Sequence, residues 1–105
     1  MTKASSPLVS VVILNWNKLD HTLTCLESVR KITYPKFEII VVDNGSTDGS
    51  KQKLMQIDDI ILVNNPKNRG FAGGHTDGFK YAKGKYIFIL NNDAVVAPDC
   101  LSVGV

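Results

Sequence analysis

The 105-residue sequence predicts an α/β fold: a parallel, Rossmann-like sheet with helices on both faces. Three observations carry that expectation. Four apolar runs of strand length recur along the chain. Segments of helical length separate them, giving β-α-β-α-β-α-β, the order of a parallel sheet with right-handed crossovers. Each run also stops abruptly at amides or a carboxylate, so Asn15, Asp43, Asn65 and Asp93 should gather on one edge. In open α/β sheets the carboxyl edge is where ligands bind.

The elements follow in order. Residues 1–7 are short and polar, and a disordered tail is expected there, with one domain over 8–105. The first strand, Val9 to Leu14, gives way to Asn15-Trp16-Asn17. The first helix should start at Asp20, an N-cap residue type, and bury Leu23, Leu26 and Val29, with Cys25 and Ile32 on the margin. Glu27 and Lys31 form an i,i+4 pair on its opposite face, and Tyr34-Pro35 ends it. The second strand, Phe37 to Val42, runs into Asp43-Asn44-Gly45-Ser46. Asn44-Gly45 makes a tight turn, and Ser46, Thr47 or Asp48 can cap the next helix. Turn chemistry does not require Asp43, whose carboxylate can accept hydrogen bonds from a ribose hydroxyl or a base N–H.

The third strand, Ile60 to Val63, ends at Asn64-Asn65-Pro66. Asn68-Arg69-Gly70-Phe71-Ala72-Gly73-Gly74-His75 opens the third helix. Its glycines admit close backbone approach, and a helix N-terminus favours anions. Phe71, His75, Phe79 and Ala82 share a helical face, so His75 reads first as a satisfied core residue; Arg69 reads equally as a solvated cation or a phosphate ligand. The loop has neither a P-loop Gly-Lys-Ser/Thr nor a dinucleotide fingerprint. The fourth strand is the unbroken apolar run Tyr86 to Leu90, expected to be buried on both faces. Asn91-Asn92-Asp93 after it reads either as an Asx-rich turn or as a site for a hard divalent cation bridging a diphosphate. Pro98 suits the first turn of a further helix, capped by Asp99, and the sequence ends within two turns of it, so the domain is expected to be incomplete.

Composition narrows the function. A net charge of +2 is too small to point to nucleic acid or a membrane surface. Cys25 and Cys100 have no metal-ligand spacing and form no disulfide framework, which fits a reducing, cytoplasmic compartment. Met1 to Pro7 is too short and polar to be expected to act as a signal peptide, and no apolar run in the sequence reaches membrane-spanning length.

Four segments, Val9 to Asn17, Val41 to Asp48, Asn68 to Gly74 and Leu90 to Asp93, resemble family 2 glycosyltransferases, with the bacterial rhamnosyltransferase-like enzymes as the subgroup most similar in motif. The resemblance implies a GT-A fold cut off after its DxD-like motif, and a chain that carries the donor-binding half of a metal-dependent, inverting sugar transferase of polysaccharide biosynthesis. It implies a nucleotide-binding set of Asn15, Asn17, Asp43, Asn68, Arg69, Gly70, His75, Asn92 and Asp93, with Asp93 and Asn91 toward Mn²⁺ or Mg²⁺. The implied partners are a UDP- or dTDP-type sugar and an acceptor glycan or lipid-linked glycan, at the inner face of the membrane in the full-length protein. Asn91 departs from the motif by replacing its first Asp, and Thr76 stands where the family often has Asn. The catalytic base is expected beyond Val105. Self-association through the truncated sheet edge is a further expectation. A non-catalytic nucleotide-binding module is the alternative reading.

Overall fold

The computed structural model describes residues 7–101. The expected tail therefore lies outside the described residues except for Pro7, whose carbonyl accepts a hydrogen bond from the Tyr34 hydroxyl. Four parallel strands, β1 (Val9–Asn15), β2 (Phe37–Asn44), β3 (Ile61–Asn65) and β4 (Tyr86–Asn91), form one sheet in the order β3-β2-β1-β4. The chain steps outward from β1 to β3, then returns to place β4 on the other side of β1. That reversal between β1 and β4 is the position at which such sheets open a ligand crevice.

Side chains alternate between the two faces of each strand. One face, with Val9, Val11 and Ile13 of β1 and Ile39 and Val41 of β2, packs against helix α1 (Leu19–Arg30) and Leu54 of the short helix α2 (Ser50–Leu54). The other face, with Val12, Ile40, Val42 and Val63, lies under helix α3 (Gly70–Phe79). Helices on both faces are what the sequence predicted.

Five local expectations are corrected. Helix α1 starts at Leu19, with Lys18 rather than Asp20 before it; Asp20 sits in the first turn, where a carboxylate opposes the helix dipole. Its buried stripe is Thr22, Cys25, Leu26 and Val29, while Leu23, one residue past Thr22, lies off that face and is 38% exposed. Helix α2 has only five residues, and its N-cap is Gly49 rather than Ser46, Thr47 or Asp48; Asp48, just before it, accepts from the Ser50 backbone N–H at 3.0 Å. Strand β4 is not buried on both faces: Ile87 and Ile89 are 44% and 46% exposed, because β4 ends the sheet and α3 lies over β1 and β2 instead. The polar residues Asn15, Asp43, Asn44, Asn65 and Asn91 are the last residues of the strands themselves, not of the loops beyond. Pro98 begins a turn, and its carbonyl accepts from Thr33 N–H at 2.8 Å; Cys100 and Leu101 are helical, and the rest of the helix expected there lies outside the described residues.

Helix α3 approaches the sheet through glycines. A Cβ on Gly74 would stand 2.5 Å from Leu14 Cδ1, and one on Gly78 would stand 2.9 Å from Val42 Cγ2. This close approach brings the start of α3 down onto the carboxyl ends of β1 and β2.

Candidate functional site

Parallel register sets the strand ends side by side. Asn15 of β1 pairs with Asp43 of β2, and Asn44 of β2 pairs with Asn65 of β3. Alternation then sends Asp43 to the α1 face and Asn44 to the α3 face, so the carboxyl edge carries two polar networks.

On the α1 face, Asn15 Nδ2 donates to Asp43 Oδ1 at 2.9 Å, and Asn15 Oδ1 accepts from Thr22 Oγ1 at 2.6 Å. Asp43 also accepts from the Ser46 hydroxyl at 2.6 Å and the Ser46 backbone N–H at 3.2 Å. Asn17, in a left-handed conformation at φ 52°, donates its backbone N–H to Ser46 Oγ and accepts from Thr47 N–H at 2.7 Å. Asn92 Nδ2 joins the same network through Thr22 Oγ1 at 3.2 Å. Asn15 and Asp43 are completely buried. The structure thus brings together Asn15, Asn17, Asp43 and Asn92, and it ties the Asp43 carboxylate to three protein donors.

On the α3 face the organising residue is Asn44. Its Oδ1 accepts from Asn65 Nδ2 at 3.0 Å and from Arg69 N–H at 3.1 Å, while its Nδ2 donates to Asn68 Oδ1 and to the Gly70 carbonyl, both at 3.1 Å. Arg69 Nε donates to Asp77 Oδ2 at 2.5 Å, and Asn65 donates to the same oxygen. Burial pushes the Asp77 carboxyl up, but Arg69, Asn65 and Lys80 outweigh it and hold the group below its ordinary value. Arg69 is therefore an ion-paired cation rather than a merely solvated one. Asn68, Arg69 and Gly70 are gathered by one amide.

A cavity of about 310 Å³ opens between these networks at the β1–β4 reversal. Leu14, Trp16 and Lys18 line it from the end of β1, Phe71 and His75 from α3, and Leu90, Asn91, Asn92 and Asp93 from the end of β4. Asn91 and Asp93 are exposed on its wall. Behind them Cys25 is fully buried; burial, reinforced by the negative charge of Asp93, pushes its thiol up to about 11, so it is an inert core residue. His75 is enclosed against the ring of Phe71 at a centroid distance of 4.2 Å, and its Nε2 has no hydrogen-bond partner.

Among the described residues no group of three His, Cys, Asp or Glu side chains is placed to hold a metal. One exposed carboxylate beside two amides is a set that fits a hard cation supplied mainly with phosphate and water oxygens, and does not fit an all-protein cage.

Trp16, Lys18, Phe71 and Asn44 escaped sequence reasoning as site residues. Asn44 had a usable signal: it follows Asp43 on a strand, so it must face the opposite side. Trp16 and Lys18 lie in an aperiodic loop and had none.

The family model described as glycosyl transferase family 2 matches residues 10–105. The glycosyltransferase GlyG of Streptococcus pneumoniae serotype 4 is 38% identical over 95 residues, covering 87% of this chain and 32% of that protein. The Escherichia coli protein WfgD, a UDP-Glc:alpha-D-GlcNAc-diphosphoundecaprenol beta-1,3-glucosyltransferase, is 34% identical over 91 residues, covering 84% of this chain and 36% of that one. Among solved structures, the Pyrobaculum calidifontis mannosyltransferase PcManGT in complex with GDP-Man and Mn²⁺ superposes with a TM-score of 0.82 at 28% identity, over 91% of this chain and 30% of that one. Staphylococcus aureus TarS 1–349 in complex with UDP has the same fold, with a TM-score of 0.81 at 24% identity, over 92% of this chain and 30% of that one. The chain spans about a third of the length of the curated relatives it matches.

Proposed function

The chain belongs to glycosyl transferase family 2 and has the GT-A fold, and from that premise we propose that residues 8–105 form the donor-binding part of a metal-dependent, inverting glycosyltransferase. The single observation that carries this reading is the cavity at the β1–β4 reversal, walled by Asp93, Asn92, Asn91 and Lys18 with Trp16, Phe71 and His75 beside them. Asn17 faces the nucleoside end of the donor, with the buried Asn15 and Asp43 bracing the turn behind it; Asn68, Arg69 and Gly70 form the loop that closes on it. Asn92 and Asp93 face the diphosphate, and His75 faces the sugar.

A divalent cation, when bound, would neutralise charge on the departing nucleoside diphosphate. Asp93 would hold it, with Asn91 as a neutral partner. Lys18 adds a positive charge on the same wall, and the aromatic surfaces of Trp16 and Phe71 restrict water. The acceptor hydroxyl is deprotonated by a base that we place outside the described residues. The donor is a pyrimidine nucleoside diphosphate sugar of UDP or dTDP type, and the subgroup is rhamnosyltransferase-like. The acceptor is a glycan or lipid-linked glycan, presented at the cytoplasmic face of a membrane. No described helix is long and apolar enough to cross one.

Calorimetry on the purified chain with UDP, dTDP and GDP, each with and without Mn²⁺, tests this reading. Pyrimidine nucleotides should bind, and Mn²⁺ should tighten them. Binding that ignores the metal would remove the role assigned to Asp93.

A further inference from the structure

Among the described residues, one buried side-chain polar atom lacks a hydrogen-bond partner: Nε2 of His75. The ring's other nitrogen, Nδ1, lies 2.8 Å from the Phe71 carbonyl oxygen. That oxygen can only accept, so Nδ1 carries the proton, and in the neutral ring Nε2 is a bare acceptor. His75 is 4% exposed and lines the cavity between the ends of β1 and β4. An acceptor enclosed without a donor carries a free-energy penalty that a donor entering the cavity would remove.

The chemistry of the cavity decides which ligand group meets it. Phosphate oxygens only accept, so they do not satisfy a neutral Nε2. A metal ion centred there would need further ligands, and no three His, Cys, Asp or Glu side chains gather among the described residues. A hydroxyl donates an O–H. The remaining wall suits a sugar ring, with the exposed aromatic surfaces of Trp16 and Phe71, apolar Leu14 and Leu90, and a few polar groups to fix orientation.

We propose that His75 determines sugar specificity: its Nε2 accepts a hydrogen bond from a hydroxyl of the sugar carried by the donor. This rests on the donor-binding reading above and names the part of the donor that the cavity reads. The Phe71 carbonyl holds the ring's tautomer and tilt, so the acceptor is fixed before the ligand arrives. A sugar whose hydroxyl reaches Nε2 gains a hydrogen bond; one lacking it leaves the acceptor stranded, which is how polar sites discriminate.

Two variants isolate the acceptor. His75→Gln keeps a side-chain oxygen near the position of Nε2, and His75→Met has similar length with no such acceptor; both lose the bond to the Phe71 carbonyl. Calorimetry with UDP, UDP-glucose, GDP and GDP-mannose in the presence of Mn²⁺ provides the readout. For the nucleotide sugar that the wild-type chain binds, His75→Met should weaken binding about tenfold, the scale of one hydrogen bond. His75→Gln should stay within about threefold of wild type, the residue of an imperfectly placed acceptor. Neither variant should alter binding of the free nucleoside diphosphate. Equal losses in both variants, or an equal loss for the free diphosphate, would overturn the inference and leave donor binding standing. Failure of the wild-type chain to bind any of the four would overturn donor binding itself. A wild-type measurement covers the case of a variant that does not fold: the ¹⁵N resonance of His75 Nε2 should shift with UDP-glucose or GDP-mannose and not with UDP or GDP. An Nε2 signal indifferent to the sugar refutes the assignment.

Discussion

Asp43 and Asp93 both stand at the carboxyl edge, yet their surroundings give them opposite mutational signatures. Asp43 is completely buried and holds Asn15 and Ser46, so Asp43→Ala strands their donors. A loss of about 2 kcal/mol is expected, or roughly 10 °C in Tm for a domain of this size, together with weaker binding of uridine and UDP alike. Asp93 is exposed, and its side chain makes no hydrogen bond among the described residues. Asp93→Ala should leave Tm within about 2 °C of wild type, as surface substitutions do, and should abolish the effect of Mn²⁺ on UDP binding. Thermal melting and calorimetry on the two variants check both statements; the reverse assignment, with metal dependence lost at Asp43 and kept at Asp93, would sink the division of roles. At this scale the sequence revealed the polar residues at the strand ends but not their partners. Asn44 looked like turn chemistry beside Gly45, and only the pleat shows that it gathers Asn65, Asn68, Arg69 and Gly70. The unpartnered Nε2 of His75 could not be read from spacing either, because it depends on the tautomer that the Phe71 carbonyl selects.

At the scale of elements, α3 is the piece that connects packing to the site. Its contact with the sheet runs through Gly74 and Gly78, where a methyl would meet Leu14 and Val42 at 2.5 and 2.9 Å. In an exposed helix, Gly→Ala stabilises by about 1 kcal/mol. Here the overpacking term of about 1–3 kcal/mol opposes it, and for Gly74 the nearest atoms include Asn44 as well as Leu14. Gly74→Ala should therefore lower Tm, and it should also weaken UDP binding, since Leu14 lines the cavity and Asn44 holds the loop above it. A raised Tm would show that α3 can lift off the sheet without cost. The four strands and three helices were legible because period-2 and period-3.6 burial leave different apolar patterns. The faces of α1 and β4 were not. In α1 the helical face through Thr22, Cys25, Leu26 and Val29 meets the sheet and leaves Leu23 outside it, although Leu23 is the more apolar residue. The apolar run of β4 has the composition of a central strand, and sequence order alone cannot say that it lies at the edge, since that follows from which side of β1 the chain returns to.

Across the whole molecule, charge and the open edge of β4 govern behaviour in solution. Asp48, Asp59 and Asp77 are all held below the ordinary carboxylate value of 3.8: Asp48 chiefly by the Ser50 hydroxyl, Asp59 chiefly by Arg30, and Asp77 by Arg69, Asn65 and Lys80 against the opposing effect of burial. A carboxyl whose folded pKa is depressed adds stability above its unfolded pKa and loses it as pH falls through the folded one. Tm should hold steady down to about pH 5 and fall below about pH 4, and Asp77→Asn should shallow that fall; an unchanged acid limb would remove Asp77 from the account. The edge strand sets the second property. Beyond β4 no described strand pairs with it, and Ile87 and Ile89 stand half exposed on the face that α3 leaves uncovered, with the partly exposed ring of Phe79 belonging to the same helix. A parallel edge with free backbone N–H and C=O groups and β-branched apolar side chains is a template for another strand. A second copy of this chain offers the same edge, so the purified chain should self-associate at high micromolar concentration. Lysine at these positions would point charge into the shared face, and Ile87→Lys with Ile89→Lys should restore a monomer without changing nucleotide affinity, because neither residue lines the cavity. Sedimentation velocity over a concentration series reads this directly. A wild-type chain that stays monomeric, or a double variant that associates just as strongly, would show that the β4 edge is not the surface through which copies meet.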